Sequence, residues 1–533
     1  MIMKRTVFCL LCCLLYIHTY SQTNFKEVYI TAMQGDVEAM VRLGELYLEG
    51  EGTEKNEQEA FRCFSKAAEK GNADAQFYLA IMYFAGKGVS CDMSQAFNWM
   101  LKSAEQGVAL AQTNVGIMYL DGNGVTKNAN EAFRWLMKAA EQGEKEAQDC
   151  IGKLYSSGDG CIKNESEAYN WTLRAAEQDH TEAQARLGQM YLRGIGVAIN
   201  YTEAFKWFMK AAEKNYAIAQ YDIGVMYING EGVEENESEA LKWITKAAEQ
   251  GLDYAQYSLG EMYFNGVGVE KNDVEAFNWT LKAAEQGHVK AQHVIGRMCF
   301  NGEGIEKNYV EAFNWTMKAA EQENPESQFM VSIMYHMGWG VKKNWNECIK
   351  WRIRAAEQGH AEAQWYLGKM YRDGDGVKKD ESKAFKWILK AANNGHAGAQ
   401  FDLAICCFLE ENTSKGCAWL LKSAEQGNAR AQYVLGSMYL IGQYVAENKA
   451  EAFRWMLKAA EQRLAAAQYV VGGMYLKGNG ISKNEFLGFK WTLKAAEQGQ
   501  VEAIKTLISL YANGIGVDKN ELEAQKWISR LQK

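Results

Sequence analysis

Proline is almost absent from this sequence, which contains one among 533 residues where average usage of roughly 5% would give about 27. Loops and linkers between ordinary globular domains are where proline collects. Its scarcity therefore argues against the roughly three or four separate domains that the length alone suggests. Histidine is also scarce, with seven residues, and none of them forms a His-Glu-x-x-His motif or a pair four residues apart. These absences disfavour a string of linked domains and a histidine-based metal site.

The charge balance is mildly acidic, with 66 Asp and Glu against 58 Lys and Arg and a net charge of −8. Such a balance disfavours a surface built to bind nucleic-acid phosphates. With 48% hydrophobic and 23% charged residues, the chain is too apolar for wholesale disorder. The composition predicts a large buried core and no nucleic-acid partner.

The N-terminus has the pattern of a secretory signal peptide. Lys4 and Arg5 precede an apolar run from about Val7 to Ile17, and small or polar residues follow. This run is too short for a transmembrane anchor, which needs about 20 residues. We predict a signal peptide over residues 1–21 and an exported mature chain, periplasmic, cell-surface or secreted, without a transmembrane segment. A lipid anchor at Cys12 or Cys13 is an alternative.

A single period governs the rest of the chain. Tryptophan recurs every 36 residues from Trp99 to Trp387, and after one 32-residue step it continues from Trp419 to Trp527. Cys63 fills the same slot one period before Trp99, which makes fourteen repeats. A fixed period of about 20–50 residues is the signature of repeat architectures.

Each period contains two helical patterns separated by a glycine loop. The first helix carries a glycine on its apolar face, such as Gly116, where a neighbouring helix could approach closely. The second helix begins at a capping pair such as Asn128 and Glu131 and ends before a glycine such as Gly143. A helix pair that is apolar on several sides must stack on copies of itself. The sequence therefore predicts an all-α solenoid over residues 37–533, after a capping half-repeat at 22–36, with a shortened repeat near 397–428.

The repeated string AEAQ-x-x-LG-x-MY-x-x-G-x-GV-x-KN-x-x-EAF-x-W-x-x-KAAEQG resembles the Sel-1-like repeat, a relative of the tetratricopeptide repeat. The resemblance implies a right-handed α-solenoid superhelix of about fourteen 36-residue antiparallel helix-pair repeats. It also implies an adaptor or scaffold that binds other proteins, and bacterial members of this family are often exported. One exported branch is associated with binding penicillin-like compounds, so a penicillin-binding or β-lactamase-like activity is a remoter alternative.

No catalytic, cofactor-binding or metal-binding residues are predicted. The glycine loops match neither G-x-x-x-x-G-K-[ST] nor a G-x-G-x-x-G between a strand and a helix, so we interpret them as turns. None of the serines beyond the signal peptide has a lysine three residues later, as a serine acylase of the penicillin-binding type requires. The sequence therefore favours a protein that is not an enzyme.

Nine cysteines remain after the predicted signal peptide, and export implies an oxidising compartment. The exported branch of the family carries a cysteine pair in every repeat, and this chain does not. The best candidate for a disulfide is Cys407, or its neighbour Cys406, with Cys417 in the shortened repeat. The alternative is that all nine are small buried hydrophobic residues.

A partner must be recognised by residues that depart from the repeat template. The variable positions of the first helix lie two, five and nine residues after the recurring glutamine, on one face. Off-template aromatic residues crowd the ninth and tenth repeats, and interfaces favour such anchors. The predicted site for a protein or peptide partner is Trp339, Trp345, Trp365, Tyr366, Lys369, Asp373, Arg297 and Ile333.

Two other interpretations of these aromatic residues stay open. Their rings could pack over their own loops, or they could bind envelope carbohydrate or peptidoglycan. The identity of the partner does not follow from the sequence, and we expect a monomer.

Overall fold

The computed structural model describes residues 25–532, and the predicted signal peptide lies outside them. The described residues form helices and connecting turns, without a strand. Their 29 helices are α1 Phe25–Met33, α2 Val37–Glu49, α3 Glu57–Glu69, α4 Ala73–Ala85, α5 Met93–Glu105, α6 Ala109–Asp121, α7 Ala129–Glu141, α8 Lys145–Ser157, α9 Glu165–Glu177, α10 Thr181–Arg193, α11 Tyr201–Glu213, α12 Ala217–Asn229, α13 Glu237–Glu249, α14 Asp253–Asn265, α15 Asp273–Glu285, α16 Val289–Asn301, α17 Tyr309–Glu321, α18 Pro325–Met337, α19 Trp345–Glu357, α20 Ala361–Asp373, α21 Glu381–Asn393, α22 Ala397–Leu409, α23 Thr413–Glu425, α24 Ala429–Ile441, α25 Lys449–Glu461, α26 Ala465–Lys477, α27 Glu485–Glu497, α28 Val501–Asn513 and α29 Glu521–Leu531.

Helices with even numbers are the first helices of the repeats, here called A helices, and odd numbers from α3 onward are the second, or B, helices. The described residues divide into two compact units, on either side of the boundary between Asn272 and Asp273. Within each unit the core is a row of similar clusters, such as Phe208 with Ile223 in the first and Met456 with Val471 in the second. None of the 29 described helices has the length and apolar character required to cross a bilayer.

Helix boundaries follow the capping residues identified in the sequence. Helix α6 ends at Gly122, which has a left-handed φ of 78° and donates its backbone N–H to the carbonyl of Met118. Helix α7 begins after Asn128, whose side chain accepts hydrogen bonds from the backbone N–H groups of Asn130 and Glu131. These contacts satisfy backbone groups that a helix end leaves without partners. The predicted all-helical repeat is thus confirmed at the level of individual caps.

The two glycine positions of the template serve close packing. A Cβ added at Gly116 would overlap the side chain of Leu136 on the B helix of the same repeat. A Cβ added at Gly124, in the loop, would overlap the carbonyl of Met93 at the start of the preceding B helix. The glycine loops are therefore turns, as the sequence predicts, and the structure shows that they dock on the previous repeat.

A ladder of buried glutamines ties successive helices together. The Gln112 side chain donates to the carbonyl of Ala104 at 3.1 Å, across to the preceding B helix. Its amide oxygen accepts from Nε2 of Gln142 at 2.7 Å, at the end of the next B helix. Buried amides need such partners, so the recurring glutamine is part of the fold.

The template tryptophans are structural as well. Each of the thirteen from Trp99 to Trp527 has a lysine or arginine three residues later whose cationic group lies over the ring, as Lys138 does at 4.1 Å from the Trp135 centroid. Residues three apart on a helix are neighbours, which makes this cation–π contact a local consequence of the sequence.

The shortened repeat replaces its glycine loop by three residues between α22 and α23. Glu411 takes the left-handed conformation there, with a φ of 60°. In the next repeat, Tyr444 occupies the slot of the second loop glycine with a φ of 64° and stacks on Phe408 at 5.6 Å between ring centroids. The one proline, Pro325, opens α18 after the N-cap Asn324, as predicted.

Candidate partner-binding face

Successive A helices meet through two neighbouring template positions. In four places within the two units, the residue directly after the recurring glutamine position of one A helix contacts the second residue after that position in the next, 37 residues on. Trp365 and Asp402 form such a pair, as do Asp149 and Arg186. We call the surface formed by these positions and the variable ones the A-helix face.

Three of the predicted site residues lie together on α20. The ring centroids of Trp365 and Tyr366 are 5.1 Å apart, and Nζ of Lys369 lies 4.5 Å from the Trp365 centroid. The Trp365 indole N–H donates to Oδ2 of Asp402 at 2.8 Å. The Tyr366 centroid lies 5.9 Å from that of Phe329, and Tyr366 is 37% exposed. These five residues are called the Trp365 cluster below.

Two histidines border this cluster and were not predicted as part of it. His396 lies 4.7 Å from Trp365, and His360 lies 4.7 Å from Phe329, between ring centroids. Both use Nδ1 to accept the backbone N–H three residues later and so cap their A helices. Burial lowers the pKa of both imidazoles, so they are neutral at pH 7. Their recurrence in the turn slot was the available signal, since a ring there lies against the preceding A helix.

Trp339 lies in the glycine loop after α18, Trp345 is the first residue of α19, and both contact other rings. Trp339 packs against Phe300 at 5.0 Å and is nearly parallel to Tyr309 at 6.3 Å, between ring centroids. Trp345, which is 44% exposed, meets His336 edge-on at 4.6 Å. Partner binding by these two tryptophans stays a prediction.

The other three predicted site residues, Ile333, Arg297 and Asp373, each contact a neighbouring side chain. Ile333 is partly buried against the core around α18, α19 and α20. Nε of Arg297 lies 3.9 Å from a carboxylate oxygen of Glu303. Asp373 accepts from Nε of Arg372 at 2.9 Å, and this hydrogen bond lowers the pKa of Asp373. A role for these three in partner binding stays a prediction too.

The nine cysteines of the described residues are all free thiols in the structure. Cys407 lies near the end of α22 and Cys417 on α23, with Cys406 beside the former. Burial raises the pKa of Cys417, and also that of Cys406. A disulfide between Cys407 and Cys417 stays a prediction.

The first unit carries a charged cluster that sequence reasoning missed. The Asp149 side chain is fully buried, and its oxygens lie 3.1 Å from Nε of Arg186 and 2.6 Å from Nζ of Lys153. Lys153 also lies 3.6 Å from Glu182. Burial opposes the charge of Asp149, but Arg186 and Lys153 outweigh it and hold its pKa below the usual range. The signal was a pair of opposite charges at the paired positions, Asp149 and Arg186, with a further charge, Lys153, one turn after Asp149 on the same helix.

A second carboxylate of the first unit, Asp222, is half-buried. Its Oδ2 accepts from Nε2 of Gln189 at 2.9 Å. Burial raises the pKa of Asp222 to about 6, although Gln189 and Arg193 act in the opposite direction. The ionised form is thus disfavoured in the folded state.

Asp222→Asn is expected to stabilise the protein at pH 7.5 by about 1–2 kcal/mol, because a rise of roughly two pKa units costs about 3 kcal/mol and partial exposure reduces it. The folded protein binds a proton near pH 6 that the unfolded chain binds only near pH 4. The contribution of Asp222 to the free energy of unfolding therefore falls as the pH rises from about 4 to 6, and it no longer changes with pH above that range. Urea denaturation at pH 5 and 7.5 checks this. A variant with an unchanged pH dependence would contradict it.

The geometry above matches that of known proteins. A family model described as Sel1 repeat matches residues 37–72, 73–108, 109–144, 146–180, 181–216, 217–252, 253–288, 289–324, 325–360, 361–396, 397–428, 429–464, 465–500 and 509–530. No curated protein matches the chain.

Two solved structures are similar. One is a protective antigen of uropathogenic Escherichia coli strains displaying an SLR fold, at 28% identity and a TM-score of 0.64, covering 96% of this chain and 98% of that one. The other is a Sel1 repeat protein from Oxalobacter formigenes, at 30% identity and a TM-score of 0.48, covering 59% of this chain and 95% of that one. Fourteen matched repeats, spread from residue 37 to residue 530, show that this chain belongs to the Sel1 repeat family.

Proposed function

We propose that this chain is an exported, non-enzymatic scaffold that binds a protein or peptide partner through the A-helix face, at the Trp365 cluster. One observation carries the proposal: a tryptophan, a partly exposed tyrosine and a lysine are held together at template positions that vary from repeat to repeat. Trp and Tyr supply most binding energy in interfaces when they are fixed before binding. Trp365 is fixed by its hydrogen bond to Asp402 and by the Lys369 ammonium over its ring.

The absence of catalysis is part of the proposal. A thiol nucleophile acts as the thiolate, which needs a lowered pKa. Burial instead raises the pKa of Cys63 and of Cys299 to about 11, so both are protonated at neutral pH. Hydrolysis of nitrocefin above background by the pure protein would contradict this part and favour the β-lactamase-like alternative.

Export rests on the N-terminal pattern of Lys4, Arg5 and the apolar run that follows them. Fractionation of cells that express the full chain tests it directly. A processed protein outside the cytoplasm is the expected result, and an unprocessed cytoplasmic protein would contradict it.

Replacing Trp365 and Tyr366 together by alanine is expected to weaken capture of the native partner at least tenfold, because each anchor of this kind contributes roughly 2 kcal/mol or more. The measurement is crosslinking and pull-down from the native envelope, followed by titration of the purified partner. Helicity by circular dichroism should stay unchanged.

Tyr469→Ala is the matched control for this experiment. Tyr469 occupies the same template position as Trp365, and its hydroxyl lies 3.4 Å from Thr506 on the next A helix. It lies outside the Trp365 cluster, so its loss should leave capture unchanged. Equal capture by the wild type and the double variant would contradict a binding role for this face. Binding on a glycan array without any protein capture would favour the carbohydrate alternative.

A further inference from the structure

Arg352 is out of place in the core of its repeat. The residue that follows the template tryptophan points at the A helix of the same repeat and packs on its glycine position. In the other repeats this position is apolar or threonine: Phe64, Met100, Leu136, Thr172, Phe208, Ile244, Thr280, Thr316, Ile388, Leu420, Met456, Thr492 and Ile528. Arg352 is only 6% exposed, so a guanidinium replaces a core side chain.

The buried guanidinium has weak partners. Its Nε donates to Oγ of Ser332 at 3.4 Å, and Nη1 donates to the thioether sulfur of Met370 at 3.1 Å. The guanidinium carbon lies 5.5 Å from the ring centroid of Tyr366. Within residues 25–532 no carboxylate forms an ion pair with Arg352. A buried cation is normally compensated by an anion, because its desolvation is costly.

The position on α18 that faces Arg352 also departs from the template. Ser332 occupies the mid-helix slot that is glycine in most A helices. Its hydroxyl donates to the carbonyl of Phe329 at 2.7 Å, which leaves the oxygen lone pairs toward Arg352. With Arg352 and Ser332 at these two positions, the guanidinium lies between α18 and α20, beside the ring of Tyr366. Since Tyr366 is exposed, the cation lies directly behind the A-helix face.

A second polar group at the same place is without a partner. Nδ1 of His336, one turn beyond Ser332 on α18, is buried and makes no hydrogen bond. Burial lowers the pKa of His336, and the charges of Arg352 and Lys343 lower it further. The Trp345 ring packs edge-on against this imidazole. The Arg352 guanidinium lies at the junction of α18, α19 and α20, and the His336 imidazole, a second under-satisfied group, lies one turn along α18 from it.

We propose that this junction binds a carboxylate group of the peptide partner, with the guanidinium of Arg352 as the principal donor. The inference rests on the proposed function and names the chemistry of its ligand. Arginine matches a carboxylate with two parallel charge-assisted hydrogen bonds. Lys369, 5.8 Å from the Tyr366 centroid, adds positive charge at the entrance. The exposed ring of Tyr366 offers apolar contact to the neighbouring part of the peptide.

The carboxylate could be the C-terminus of the partner or a glutamate side chain, and three pools of N-acetylated octapeptides distinguish these sources. All pools lack Asp and Glu elsewhere: one has a free C-terminus, one has a C-terminal amide, and one has the amide with a single internal Glu. The full chain is incubated with each pool, and bound peptides are measured by affinity selection and mass spectrometry. We expect one carboxylate pool to be retained about tenfold or more over the amide pool.

Arg352→Met is the deciding variant, because the repeats themselves show that methionine fits this slot. Met100 and Met456 fill it with 3% and 0% exposure. Exchanging a buried charge for an apolar side chain of similar volume is neutral or stabilising, so the thermal midpoint should not fall. Retention of the carboxylate pool should drop to the level of the amide pool. Arg352→Lys keeps the positive charge but lacks the planar guanidinium that can donate two parallel hydrogen bonds. This variant should lose most of the preference for the carboxylate pool over the amide pool.

Two results would overturn the inference: no preference of the wild type for either carboxylate pool, or the same preference in Arg352→Met. Either result leaves the proposed function intact if the Trp365 and Tyr366 double variant still loses its partner. If that variant also keeps full capture, both proposals fail.

Discussion

Replacing Arg186 and Lys153 together by methionine is expected to lower the free energy of unfolding by about 3–5 kcal/mol at pH 7, because the change leaves the Asp149 carboxylate buried without a cation. Its oxygens lie 3.1 Å and 2.6 Å from the two groups that would be lost. The pKa of Asp149, which these cations now hold below its usual range, should rise above it.

Acid should therefore rescue the variant. In the variant, the pKa of Asp149 is expected to be higher in the folded state than in the unfolded state. The loss of unfolding free energy is therefore largest above the folded-state pKa and becomes smaller as the pH falls through it. Chemical denaturation at pH 7 and pH 4.5, with hydrogen exchange of α8 and α10 amides, measures both effects. A deficit that is the same at both pH values would contradict the explanation by a buried charge.

The matched control adds Asp149→Ala to the same two substitutions. Ala185 occupies this position in the next repeat with 5% exposure, so an alanine fits there. Removing the last charge should recover most of the lost stability, because a buried ion pair as a whole contributes little net free energy. A triple variant as unstable as the double variant would contradict the prediction.

Gly124→Ala is expected to cost about 3–5 kcal/mol, the second large effect. Gly124 has a φ of 73°, which costs a non-glycine residue about 1–2 kcal/mol. In addition, the new Cβ would overlap the carbonyl of Met93 and come within 3.1 Å of the Cβ of Phe97. Backbone cannot move aside as a side chain can, so the loop must lift off the preceding B helix. Thermal denaturation followed by circular dichroism gives the change in stability.

Gly143→Ala separates the two causes. Gly143 also has a positive φ, of 98°, but a Cβ there would meet no atom within 4 Å. This variant should lose only the conformational part, about 1–2 kcal/mol. Equal losses at both glycines would show that the docking of the loop contributes nothing.

Much of the fold was predictable because its signals are local. The caps at Asn128 and Gly122 act within a few residues, and the period places the same signals in every repeat. The mid-helix glycine indicated close approach, and the structure identifies the group that Gly116 approaches as Leu136. The loop glycine was predicted only to form a turn, and the structure shows that Gly124 also lies against the carbonyl of Met93. A residue's own helix or its immediate neighbour decides each of these features.

The candidate site was predictable in part. Trp365, Tyr366 and Lys369 stand out from the template by residue type and share α20, so their proximity followed from helical spacing. Arg352 also departs from the template, but a B-helix position is structural in every other repeat, and its reach to Tyr366 of the next repeat does not show in the period. Asp402 was missed for the same reason, since its partner Trp365 lies 37 residues away.

The sequence by itself determined a helical repeat, its boundaries and its number, because these depend on caps, glycines and apolar faces that act within one period. Only the tertiary structure decided which side chains meet between repeats. That choice depends on the offset between stacked helices, which brings the first position after one glutamine against the second position after the next. This offset brings Arg186 of the next repeat to the buried Asp149, and the packing of a B helix on the next A helix places the Arg352 guanidinium beside the ring of Tyr366.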